Sequence, residues 1–143
     1  MAIPGEVTNV ADWAFDYCPN LAGVYFCGNV PGFGSDAFGS DAITTAYYRP
    51  GTTGWGPTFA GLPTALWNPL AQTGNGNFGL QNNQFGFDIT GTTNIPVVVE
   101  ASTHLSGGAW IPLQSVSLTN GSFHFSDPQW TNFPNRFYRI SSP

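Results

Sequence analysis

Val7-Thr8-Asn9-Val10, Trp13-Ala14-Phe15, Leu21 and Val24-Tyr25-Phe26 are followed by Val30-Pro31-Gly32-Phe33, Asp36-Ala37-Phe38, Ile43 and Ala46-Tyr47-Tyr48. Between Ile3 and Tyr48 the chain says nearly the same thing twice. The offset is about 23 residues as far as the Ala-Phe pair and about 22 after it, with one deletion between Phe38 and Ile43. A unit of that size is too small to bury its own apolar face, so it must stack on a neighbour. The spacing therefore predicts a solenoid, with the recurring residues pointing into a shared core.

The same residues resemble the leucine-rich repeats of the bacterial surface-antigen (BspA-like) type, with a pattern of approximately I-P-x-x-V-T-x-I-x-x-x-A-F-x-x-C-x-x-L-x-x-V. Ile3-Pro4, Val7-Thr8, Val10, Ala14-Phe15, Cys18, Leu21 and Val24 match it. In the second copy Gly34, Ser35 and Asp41 stand where helical or apolar residues are usual, as in the last repeat of an array. The resemblance implies a bacterial cell-surface protein with a binding or structural role. Because Ile3-Pro4 falls in the closing phase of a repeat, further repeats are expected ahead of Met1. The chain then reads as a fragment whose open repeat edge favours self-association.

Within each repeat the pattern predicts a short helical turn, around Ala11 to Tyr17 in the first, with Asp12 as its N-cap. Strands are expected at Gly23 to Phe26 and Ala46 to Tyr48. Tyr25 and Tyr47 then occupy equivalent positions and stack as an aromatic ladder, by core packing or as a platform for a ligand. Cys18 and Cys27 are the only cysteines. A buried thiol at Cys18 and a Cys18–Cys27 disulfide both remain open. With no histidine near, they do not make a zinc site.

From Arg49 to Pro69, Gly and Pro interrupt too often for a long helix, and Trp55, Phe59, Leu62, Leu66 and Trp67 need burial. This segment is expected to cap the repeats, so residues 1–69 form the first part, and residues 70–77 read as a linker. Residues 78–143 are expected to be a small antiparallel β-sandwich. Phe85, Phe87 and Ile89 alternate with Gly86 and Asp88, Val97 to Ala101 is an unbroken run suited to a central strand, and Trp110 to Leu118 is a third strand. Asn120-Gly121 predicts a two-residue hairpin that pairs Leu118 with Phe123, Val116 with Phe125 and Ser117 with His124. A last strand is expected at Arg136 to Ser141. This half broadly resembles fibronectin type III and other immunoglobulin-like modules of secreted bacterial proteins. The fold class is thus mainly β with short helical turns: a leucine-rich solenoid remnant plus a β-sandwich.

Of the 143 residues, 41% are hydrophobic and only 8% are charged, against the roughly 25% usual for soluble proteins. A surface solvated by amides and hydroxyls suits an extracellular or cell-surface location. Three cations and a net charge of -5 argue against binding a phosphate backbone or an anionic membrane. No apolar run reaches the roughly 20 residues of a membrane span, and the chain opens with no signal-peptide pattern.

No catalytic set, metal site or cofactor motif stands out. The acids show no spacing that nominates an acid-base pair. Asp36 and Asp41, in a Gly-Ser-Asp repeat, offer oxygens to calcium but without the ligand density of a dedicated site. His104 and His124 read as surface residues, and no serine lies in a nucleophile elbow. Trp55, Trp67, Trp110 and Trp130, with Tyr25 and Tyr47, are the remaining constellation, since aromatic faces beside amides suit sugar rings. Trp130, in an irregular loop, is the first candidate for contact with a ligand. The expected function is non-catalytic: protein–protein interaction or adhesion, with a carbohydrate-binding module attached to a larger secreted enzyme as the alternative. Partners are accordingly a protein or a cell-surface glycan.

Overall fold

Every 22 or 23 residues the first half of the chain lays a short strand beside the one before it. Ala2 pairs with Tyr25 and Val24 with Ala46, both in parallel. The computed structural model describes residues 1–39 and 45–143, and the chain divides into two compact units, Met1–Asn68 and Pro69–Pro143. It is mainly β; among the described residues the one helical element is a 3-10 turn at Trp130–Asn132. Ile43 of the second repeat and Asp41 of the Gly-Ser-Asp loop lie outside the described residues.

Unit 1 contains β1 (Ala2–Ile3), β2 (Asn9–Val10), β3 (Val24–Phe26), β4 (Gly32–Phe33), β5 (Ala46–Tyr48), β6 (Thr58–Phe59) and β7 (Leu62–Leu66). One sheet runs β1-β3-β5-β7-β6, parallel up to β7, and β2 pairs β4 in parallel as a second. The recurring apolar residues, among them Val10, Val24, Phe26 and Phe38, form its buried core together with Phe59. Phe15 stacks on Phe38 with centroids 5.2 Å apart, and Tyr25 on Tyr47 at 4.8 Å. Each such stack contributes roughly 0.5–1.5 kcal/mol beyond the area it buries.

Two local expectations fail in this unit. Residues 12–17 form turns, not a helix, because Trp13 and Tyr17 adopt left-handed φ values of 53° and 54°. The backbone there bonds sideways instead: Trp13 N–H to Ser35 O and Phe15 N–H to Ala37 O. Asp12 is likewise no N-cap, since its Oδ1 accepts the N–H of Ser35 at 2.8 Å, 23 residues on. Gly34 explains the reach. A Cβ at that position would lie 1.9 Å from Asp12 Oδ1, so a residue that weakens the repeat pattern is the one that admits the carboxylate. Asn29 repeats the device, accepting the N–H of Thr53 at 2.9 Å. The segment expected as a cap adds strands to the sheet beside β5. Ala60 and Gly61, with φ of 47° and 83°, turn a hairpin whose second strand, β7, pairs with β5. Trp55 still covers the core as expected, stacked 5.2 Å from Tyr48 and packed on Phe26.

Unit 2 contains β8 (Leu70–Gln72), β9 (Gly79–Gln81), β10 (Gln84–Thr90), β11 (Pro96–Ser102), β12 (Ile111–Ser117), β13 (Ser122–Asp127) and β14 (Phe137–Ser141). Residues 70–72 of the expected linker are therefore strand, paired with residues 88–90. Two antiparallel sheets result. In one, β10 lies between β13 on one edge and β8 and β9 on the other; in the second, β11 lies between β12 and β14. The unbroken apolar run of β11 does occupy a central position, and Pro112 sits on an edge strand, where its missing donor is tolerated.

The Asn120-Gly121 hairpin does not form. Its flanking strands belong to different sheets, because each apolar residue finds a better-buried opposite elsewhere. Val116 faces Val97, Phe123 faces Ile89, and Phe125 faces Phe87. A type I′ turn needs positive φ at both residues, and only Gly121 has it, at 74°. Leu118, fully buried, accepts the N–H of Asn94 and donates to Ile95 O, so the chain is still bonded to the β11 side when it turns away. The two-residue left-handed turn of this unit falls instead at Asn82-Asn83, joining β9 to β10.

Side chains of β14 reach the other sheet. Tyr138 stacks on Phe85 at 5.0 Å and meets Phe87 and Phe125 edge-on. Its hydroxyl donates to Asp127 Oδ2 at 3.0 Å, and Arg136 Nε lies 2.7 Å from the same oxygen. Asp127 and Arg136 are nearly buried, with side-chain exposures of 5% and 10%.

Candidate functional site

Alternation along β10 decides what faces out. Phe85, Phe87 and Ile89 turn inward, leaving Gln84, Gly86, Asp88 and Thr90 on the opposite face. Across the ladder, β13 places His124 directly opposite Asp88. The imidazole Nδ1 is 2.6 Å from Asp88 Oδ1. Since a carboxylate only accepts, Nδ1 carries a proton, and Nε2 accepts when the ring is neutral and donates when it is protonated.

The other carboxylate oxygen is also engaged. Asp88 Oδ2 accepts the side-chain amides of Asn75 and Asn77, each at 2.7 Å, from the loop between β8 and β9. Asn75 Oδ1 in turn accepts the N–H of Asn77, which holds that loop in shape. The Asn77 bond, then the His124 bond, holds the Asp88 carboxyl below its usual 3.8. A small cleft of about 220 Å³ lies alongside, walled by Asn77, Gln81, Asn82, Gln84, His124 and Ser126 and floored by Gly79 and Gly86. Gly86 is required by its neighbours: a Cβ there would stand 2.7 Å from Phe125 O, a backbone clash, and would press on His124 Nε2 at 3.2 Å.

Tyr25 and Tyr47, the candidate platform, are 5% and 8% exposed and stacked on each other inside unit 1. Burial, and then the neighbouring Tyr47, pushes the Tyr25 hydroxyl well above its ordinary range. Both tyrosines thus serve the packing of the sheet. Trp130 is half-buried in the 3-10 turn, with Nε1 donating to Asn83 O at 3.2 Å, and it lines a separate cavity of about 310 Å³ with Phe85, Phe133 and Tyr138. Of the other tryptophans, Trp67 meets Tyr25 edge-on and Trp110 lies under the Arg139 guanidinium at 4.5 Å.

Cys18 and Cys27 are both partly exposed and are not joined by a disulfide; Cys18 Sγ lies 3.9 Å from Asp16 O. His104 pairs with its neighbour Thr103 at 2.9 Å. Among the described residues no three His, Cys, Asp or Glu side chains gather as a metal site, and no helix is long and apolar enough to cross a membrane. Among the described residues Asp36 is the one ionisable residue lining a hollow of about 420 Å³ in unit 1.

Sequence reasoning placed His124 on an outward face but opposite Ser117, so Asp88, Asn75 and Asn77 went unnoticed. The alternation in β10 carried the signal; what was missing was the identity of the strand beside it. Comparison of the chain with family models, curated proteins and solved structures found no match.

Proposed function

We propose that this chain is a non-catalytic binding module acting outside the cell or on its surface, in protein–protein interaction or adhesion. In this reading unit 1 is the end of a leucine-rich solenoid and unit 2 is an immunoglobulin-like sandwich. Parallel registers at 22 and 23 residues support the first assignment, and strands that leave one sheet for the other support the second. The observation that carries the function is the outer face of β10 and β13. Its ionisable pair, Asp88 and His124, is tied together and braced by two asparagines, an arrangement that holds a polar surface in fixed shape for a partner.

A screen of the purified chain against cell-surface proteins and a glycan array tests this. Saturable binding with no turnover of the bound partner is expected, and cleavage of a bound partner would defeat the reading. The carbohydrate-binding alternative, a module of a larger secreted enzyme, is favoured by Trp130, whose half-buried ring lines an aromatic-walled cavity. Glycan binding abolished by Trp130→Ala would select it.

A further inference from the structure

Resting on the reading of unit 2 as a binding module, we propose that the cleft over Gly86 is a saccharide site, taking the hydroxyl-bearing edge of one neutral sugar residue. The chemistry of its walls leaves few other occupants. No lysine or arginine lines it, which disfavours phosphates and carboxylates, and no apolar side chain lines it, which disfavours lipids and drug-like molecules. The carboxylate beside it, Asp88, is engaged by His124, Asn75 and Asn77, and among the described residues no group of three His, Cys, Asp or Glu side chains gathers there to hold a metal ion.

What the walls do present is a mixture of donors and acceptors at fixed positions. Among the described residues Asn82, Gln84 and Ser126 show no side-chain hydrogen bond, and each carries both donor and acceptor capacity. His124 adds Nε2, an acceptor when the ring is neutral and a donor when it is protonated, pinned in place because Nδ1 is held by Asp88. A sugar hydroxyl donates once and accepts twice, so a run of hydroxyls along one ring edge complements such a surface. The volume of about 220 Å³ suits a single ring, and the glycine floor lets the ring come down onto the sheet backbone.

Fixing the acceptor in advance lowers the ordering cost of association, yet the contact is shallow and lacks a stacking face in its walls. Dissociation constants on the order of millimolar follow for a single sugar. Repetition along a polymer would raise the apparent affinity.

Nitrogen-15 spectra of the whole chain provide the test, recorded during titration with glucose, galactose, mannose, N-acetylglucosamine, cellobiose and maltose, and separately with a capped Gly-Ser peptide. Saturable shifts are expected at the side-chain amides of Asn77, Asn82 and Gln84 and at the His124 ring for at least one sugar. Gln84→Ala combined with Ser126→Ala, both on the outer face, should weaken that binding roughly tenfold and leave the remaining signals in place. Sugar-induced shifts centred on the Trp130 indole, untouched by the double variant, would overturn the assignment of the cleft. A response to the peptide alone would overturn the saccharide and leave the binding module standing. Silence towards every probe, together with silence in the cell-surface screen, would overturn both.

Discussion

Unit 1 stacks like on like, whereas unit 2 pairs unlike strands brought from across its sequence. In unit 1 Phe15 lies on Phe38 and Tyr25 on Tyr47, each residue meeting its own counterpart in the next repeat. In unit 2 Tyr138 is locked by Phe85, Phe87, Phe125 and Asp127, four neighbours that no internal comparison of the sequence would collect. Repetition spreads the stabilisation over many similar contacts. The other plan concentrates it at a few points, and substitutions should expose the difference.

The largest effect is expected at one such point. Asp127→Ala leaves the Arg136 guanidinium nearly buried and without its carboxylate, and should destabilise unit 2 by about 3–5 kcal/mol in urea unfolding. A loss under about 1 kcal/mol would show that unit 2 does not depend on this pair. Next comes Gly34→Ala in unit 1, where the added methyl collides with Asp12; about 1–3 kcal/mol is expected. Asp12→Ala in the same background should recover part of it. Additive losses, measured by the same unfolding, would sink the account of the collision.

Smaller effects follow from ionisation. Asp88 titrates lower folded than unfolded, so its contribution is present above the ordinary 3.8 and is lost as pH falls through the folded value. Asp88→Asn should therefore flatten the acid limb of the melting-temperature profile below about pH 4. The tyrosines carry the opposite sign. Tyr25 and Tyr138 are both raised, chiefly by burial, so their contribution is complete below the ordinary 10.0 and fades as pH climbs beyond it. Substituting each by Phe in turn should assign alkaline unfolding to one unit or the other. The smallest effect is expected at Asn120→Ala, within about 0.5 kcal/mol, because Asn120 does not adopt the left-handed conformation of a type I′ turn. A loss well above 1 kcal/mol would reinstate the hairpin.

These contrasts also explain what could be read in advance. The repeat of Val7–Phe26 at Val30–Tyr48 exposed the strands at Val24–Phe26 and Ala46–Tyr48 and the stack of Tyr25 on Tyr47, since a period is a property of sequence alone. The alternation Phe85-Gly86-Phe87-Asp88-Ile89 likewise exposed which face of β10 is buried. Partner choice was not legible. Asn120-Gly121 obeys a local rule, but pairing Val116 with Val97 and Phe125 with Phe87 satisfies both strands at sites far away in the chain. Gly34 was misread for a related reason: it looks like damage to a repeat until Asp12, 22 positions earlier, is placed beside it. The candidate cleft shared that fate, because His124 and Asp88 meet only through the same unforeseen pairing.

The reach of Asp12 to Ser35 and of Asn29 to Thr53 gives the stack an arrow. Both contacts run the same way along the chain, from an acceptor to a backbone N–H 23 or 24 residues on. A layer added in that orientation would meet an acceptor already in place. A tandem duplication of residues 7–29 would arrive already carrying the fastener for its successor. An array of this kind can lengthen or shorten through recombination at the level of DNA while keeping its register.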